Sequence, residues 1–263
     1  PSPILNLPDE LTYDIFLTCH RDNPRNFPAV ASAVCSHWRN IALSIPALWS
    51  TIHFDKSLQN GQDMKRFKKQ VKRAQTAPLD IFISGAAVPD PVTDSISKVC
   101  QVIIPSITTW RSLVIGRDVK KGALQSLLDR LKNTSAPTLE NLAIQPVPES
   151  FQWDIEPSAE WKLEVFRNDM PRLQSLQLSR CRFDWNLDVF HGIMDLEIHD
   201  HRFSRMGPNE VIKVAQNIIV RSPQLSRLVL TDSWRHTLPL RAVRSPPPRL
   251  QETFCSLSSG YLN

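Results

Sequence analysis

Glycine is scarce in this sequence, and the shortage weighs against one class of function at once. Only 7 of 263 residues are glycine. Backbone that cradles phosphate is glycine-rich, and no GxxxxGK(S/T) motif occurs. Cysteine is sparse too. Cys19, Cys35, Cys100, Cys181 and Cys255 are odd in number, scattered, and never spaced as CxxC. That usage points to reduced thiols in the cytosol or nucleus rather than a disulfide framework. No apolar run approaches the roughly 18 residues needed to cross a bilayer. No basic segment precedes an apolar run near the start, so no signal peptide is expected, and the opening Pro1 reads as the edge of a fragment. GxSxG and HExxH are missing, and the acids and histidines form no recognisable constellation, so no enzyme is expected. Cys35-x-His37 and His199-Asp200-His201 are the tight ligand-type pairs. Neither has a second pair at zinc-finger spacing, so no metal and no cofactor are expected.

What is present describes a globular chain of one or two domains, 41% hydrophobic and 22% charged. Its 21 prolines predict short elements with frequent breaks. The net charge of +5 is a mild bias spread over mixed charges, and no nucleic-acid or membrane partner is expected from it.

The first fifty residues read as helical. Pro8 suits a helix start, with Asp9 and Glu10 in the first turn facing the positive end of the dipole. Leu7, Leu11, Ile15 and Cys19 repeat every four residues as one apolar stripe. Asp22, Asn23 and Pro24 end it. A second helix is predicted from Phe27 to Ala33. A third follows with little or no gap, placing Val34, Trp38, Ile41, Ala42 and Ile45 on one face until Pro46 stops it. Thr51 to Phe54 alternates like a strand. Residues 63 to 74 give another helix, with Met64, Phe67, Val71 and Ala74 on one face. Lys65, Arg66, Lys68, Lys69, Lys72 and Arg73 cover the rest. These cations could hold phosphate or acidic protein, but a solvated face is the plainer reading, and no aromatics interleave with them.

From about residue 78 the texture changes. Apolar residues recur at spacings of three and then two: Trp110, Leu113, Ile115; Leu139, Leu142, Ile144; Leu173, Leu176, Leu178; Ile193, Leu196, Ile198; Leu225, Leu228, Leu230. Leu79, Ile81 and Ile83 are an alternating relative. Successive middle positions lie about 29, 34, 20 and 32 residues apart, around and beyond the usual leucine-rich-repeat period of about 20–29. Helical patterns fill Gly122 to Asn133 and Asn209 to Val220. A strand followed by a helix or loop, repeated, buries its apolar faces only by stacking, and the free side of the strands then forms a long surface.

The start of the chain resembles the F-box motif. Leu7-Pro8-Asp9-Glu10-Leu11 and Ile15-Phe16 match its opening. Val34-Cys35-Ser36-His37-Trp38-Arg39, Ile41-Ala42 and Pro46-Ala47-Leu48-Trp49 match its close in order and spacing. One departure is Phe27-Pro28-Ala29-Val30-Ala31, where the family carries a Leu-rich segment. The later texture looks like fungal F-box proteins with irregular leucine-rich repeats. The resemblance implies a three-helix F-box followed by a mixed α/β, leucine-rich-repeat-like strand–helix solenoid. It implies a substrate-recognition adaptor of a Skp1–cullin–F-box (SCF) ubiquitin ligase, which raises the effective concentration of target lysines near the thioester. A Skp1-type adaptor would dock on Leu7, Pro8, Leu11, Ile15, Phe16, Val30, Val34, Cys35, Trp38, Leu48 and Trp49, leading on to cullin and RING subunits. Trp49 and Phe54 could instead seal the F-box against the repeats.

The expected division is 1–54 F-box, 55–77 basic helix or linker, 78–233 repeats, and 234–263 a tail or incomplete last repeat. Gln177, Ser179, Glu197, His199, Val229 and Thr231 lie between or after the strand leucines, so they face away from the core and are candidates for target contact. The rival expectation is a ligase-independent protein whose repeats serve as an assembly surface.

Overall fold

Pro8, with φ fixed near the helical value, sets the entry of α1 (Asp9–Asp22), and the backbone N–H of Thr12 donates to its carbonyl at 3.1 Å. The computed structural model describes residues 7–54, 61–84, 92–116, 119, 121–145, 161–162, 165–179, 181–182, 190–200 and 206–231. Pro28 occupies the first turn of α2 (Phe27–Val34), where a missing N–H costs nothing. Cys35 alone separates α2 from α3 (Ser36–Ser44). It caps α3, its Sγ accepting from the Trp38 N–H at 3.4 Å. Ile45 is extended, as a residue before proline must be, and Pro46–Trp49 forms a 3-10 turn.

The chain then alternates strands with crossovers. In order come β1 (Thr51–Phe54), α4 (Gly61–Ala74), β2 (Leu79–Ile83), α5 (Val92–Ile103), β3 (Trp110–Ile115), α6 (Lys121–Leu131) and β4 (Asn141–Ile144). β5 (Trp161–Lys162), β6 (Ser175–Ser179), β7 (Cys181–Arg182), β8 (Asp195–His199), α7 (Pro208–Arg221) and β9 (Arg227–Thr231) follow. Seven strands form one parallel sheet in the order β1-β2-β3-β4-β6-β8-β9, while β5 and β7 pair separately. The strands of the larger sheet lie side by side in chain order, an order compatible with a solenoid.

Register explains the recurring apolar spacing. The middle positions pair across the sheet as Ile52, Ile81, Leu113, Leu142, Leu176, Leu196 and Leu228. The last positions pair as Phe54, Ile83, Ile115, Ile144, Leu178, Ile198 and Leu230. Both ladders are buried throughout, and a shift of one residue in any strand would turn its leucines out to water. The leading positions Trp110, Leu139, Leu173, Ile193 and Leu225 are buried as well. Helix residues Phe67, Cys100, Leu124, Leu127 and Ile218 belong to the same core.

The helix expected at residues 63–74 is α4, and it forms the crossover between β1 and β2, with Phe67 and Ala74 buried and Gln70 Nε2 donating to the Thr51 carbonyl at 2.8 Å. α5 had no expected counterpart. Residues 234–263 lie outside the described residues.

Candidate functional site

α1 turns a different face inward than its apolar stripe suggests. Its buried residues are Thr12, Phe16 and His20. Phe16 meets the edges of two rings, Phe27 at 5.5 Å and Trp38 at 5.0 Å, and so locks α1 against α2 and α3. Thr12 tolerates burial because its hydroxyl donates back to the Pro8 carbonyl. His37 Nε2 and Asp9 Oδ1, 3.3 Å apart, link α3 to α1, and Arg39 Nε donates to the Ser32 carbonyl at 2.8 Å, linking α3 to α2.

The stripe itself is left outside. Leu11 is 50% exposed and Ile15 41%, while on α2 Val30 is 59% exposed and Val34 57%. Leu7, Cys35 and Trp38 are half-buried, and Pro8 is exposed. The indole N–H of Trp38 is buried without an acceptor among the described residues. These four branched aliphatic side chains, at i,i+4 on two neighbouring helices, form an apolar patch outside a core that had room for Thr12 and His20.

The remaining residues expected to dock are interior. Phe16 and Leu48 are fully buried, and Trp49 is 5% exposed with its Nε1 donating to the Ala42 carbonyl at 2.8 Å. They hold the helices in place, and Trp49 with Phe54 joins the helical unit to the sheet in one continuous core.

Residues 4–55 match the F-box-like family model. The match covers about a fifth of the chain and includes every exposed residue just described. F-box domains are typically adaptor modules, and the uncovered apolar stripes lie within the matched segment. No curated protein matches the chain. Among the described residues no helix is long and apolar enough to cross a membrane.

The second candidate surface is the sheet face opposite the leucine ladders. All six residues expected to contact a target come together there, on β6, β8 and β9. Gln177, Glu197 and Val229 share one register position, and Ser179, His199 and Thr231 the next. Val229 is buried, whereas the other five are half-buried. His199 Nε2 lies 2.7 Å from Glu197 Oε1, and its Nδ1 meets the Thr231 hydroxyl. Arg227 donates to Asp195 and Glu197, each at 2.9 Å. Burial would raise the Glu197 carboxyl, but hydrogen bonds from His199 and Arg227 together with their charge hold it below the ordinary range.

Sequence reasoning did not single out the other half of this face. His53, Phe82, Val114 and Ala143 continue the Gln177 position across β1 to β4, so the face is apolar beside the F-box and polar beyond it. Their alternation with the core positions was the available signal. His53 and Phe82 stack at 4.8 Å, and Arg111 grips Asp80 through two hydrogen bonds.

Two histidines stand where the F-box meets the sheet. Burial lowers the pKa of His20, partly offset by Asp80. Burial lowers that of His53 too, reinforced by the charge of Arg25. His20 Nδ1 and His53 Nε2 are buried without a hydrogen-bond partner among the described residues. Below the unfolded value near 6.5 the unfolded chain takes up protons that the folded one refuses, so stability falls as the medium acidifies. The melting temperature should drop between pH 7.5 and 5.5, and His20→Gln should shrink that drop. A drop of the same size in the variant would clear His20 of the effect.

Proposed function

We propose that this chain is a substrate-recognition adaptor of an SCF-type ubiquitin ligase. The F-box docks a Skp1-type adaptor through Leu7, Pro8, Leu11, Ile15, Val30, Val34, Cys35 and Trp38. The observation that carries the reading is the apolar stripe of α1 and α2, left in water within the segment that matches the F-box-like model. The strands act as an irregular leucine-rich-repeat-like solenoid whose open face takes a protein target, with Gln177, Ser179, Glu197, His199 and Thr231 in its polar half. No catalytic group is required of the chain. Bringing a target lysine near a charged conjugating enzyme raises its effective concentration, and that alone accelerates transfer. One continuous core from Phe16 to Leu230 supports this, because a rigid frame holds a target at a fixed distance from the docked adaptor.

The test is co-purification with a Skp1-type adaptor. The wild-type chain should form a stoichiometric complex, and the Ile15→Asp, Val34→Asp variant should form none while remaining folded. A wild-type chain that stays monomeric beside excess adaptor would end the proposal.

A further inference from the structure

We propose that the outer face of α4 docks an acidic segment of a partner protein, a site separate from both surfaces above. Phe67 and Ala74 are buried and Gln70 is tied to β1, so the helix cannot turn on its axis. That fixes Lys65, Lys68, Lys69 and Lys72, all exposed, as a stripe at i, i+3, i+4 and i+7 on the side away from the core. At 1.5 Å per residue the stripe is about 10 Å long. None of the four has an ion pair or hydrogen bond among the described residues.

An ordinary solvated helix face mixes signs, whereas Gly61–Ala74 contains one acid, Asp63, against six cations. Like charges three and four apart repel, so the stripe weakens its own helix, with no partner among the described residues to offset it. A row of carboxylates supplies that offset. The cations left free also choose between anions. Arg73 lies over the Trp49 ring, 4.4 Å from its centroid, and Arg66 is engaged within the chain. The planar fork of Arg73, which suits phosphate, is thus occupied by an aromatic ring, and the stripe itself carries only lysines. Among the described residues of α4 the exposed side offers no aromatic ring on which a base could stack, since Phe67 is buried in the core. Compact point charges on flexible stems suit Asp and Glu side chains on a protein segment.

The experiment is fluorescence anisotropy of a labelled ten-residue glutamate peptide with the full chain at 50 mM salt, beside a ten-nucleotide thymidine oligomer. The peptide should bind. Its affinity should fall at least tenfold in the Lys65→Gln, Lys68→Gln, Lys69→Gln, Lys72→Gln variant, whose melting temperature should equal or exceed the wild type's. The matching Lys→Arg variant should retain binding, and neutralising Arg21, Arg130, Arg172 and Lys213 should change it less than twofold. No binding of the peptide overturns the proposal. So does equal loss in the two neutralised variants, which would leave net charge as the only cause. Tighter, lysine-dependent binding of the oligomer would replace the acidic segment with nucleic acid.

Discussion

Replacing Ile15 and Val34 with aspartate should weaken binding to a Skp1-type adaptor by more than 100-fold without unfolding the chain. Full burial of an Ile or Val side chain is worth roughly 1.5–3 kcal/mol. These two are about half exposed, at 41% and 57%, so covering them contributes about 1 kcal/mol each. The larger effect is electrostatic. A carboxylate pressed into an apolar interface without a partner costs at least about 2 kcal/mol more. The sum exceeds about 3 kcal/mol, and each 1.4 kcal/mol is tenfold in affinity. The fold should survive, because surface changes away from special features move stability by about 0.5 kcal/mol or less. Phe16→Ala would not make this distinction, since that ring holds three helices together and its loss would disturb binding and folding at once.

Leu142→Ala should destabilise the sheet by about 3 kcal/mol. Leu142 is 1% exposed and sits in the middle of the ladder, between Leu113 and Leu176 on the flanking strands. Strands paired on both sides cannot close in to fill the space, so the cavity persists and its cost adds to the lost transfer energy. Gln177→Ala, on the opposite face of the same sheet, should cost about 0.5 kcal/mol or less. Urea unfolding followed by circular dichroism compares the two. Similar midpoints would mean that the ladders do not form the core.

The strands were legible because each carries its own signal. Apolar residues two apart can share a face only in an extended chain, and every such triplet named from the sequence lies on a strand or at its entry. Pairing was not legible. Intervals from about 20 to 34 residues hide the fact that all the middle leucines share one register position. Loop length is free to vary while strand alignment is held by burial. α5 escaped notice because Val92, Thr93, Ile96, Val99, Val102 and Ile103 are β-branched and poor helix formers. It forms because Val99, Cys100 and Ile103 are buried in the common core, a benefit invisible in the local sequence.

The F-box shows the reverse problem. The stripe of Leu7, Leu11, Ile15 and Cys19 was plain in the sequence, but periodicity does not say which body a stripe packs against. Within the chain, Phe16 won the inward position through its contacts with Phe27 and Trp38, carrying Thr12 and His20 in with it. The stripe went to the surface. A short helical domain with a large apolar complement was therefore readable from its composition. The division between its buried and its exposed apolar residues required the packing.

The most direct test of the central claim is hydroxyl-radical footprinting of the full chain with and without a Skp1-type adaptor. Oxidation of Leu11, Ile15, Val30 and Val34 should fall several-fold on adding the adaptor. Met194 and Val220, which are also exposed and lie outside the F-box, should react as before. Unchanged oxidation of the four F-box residues, or protection at Met194 and Val220 instead, would contradict the account.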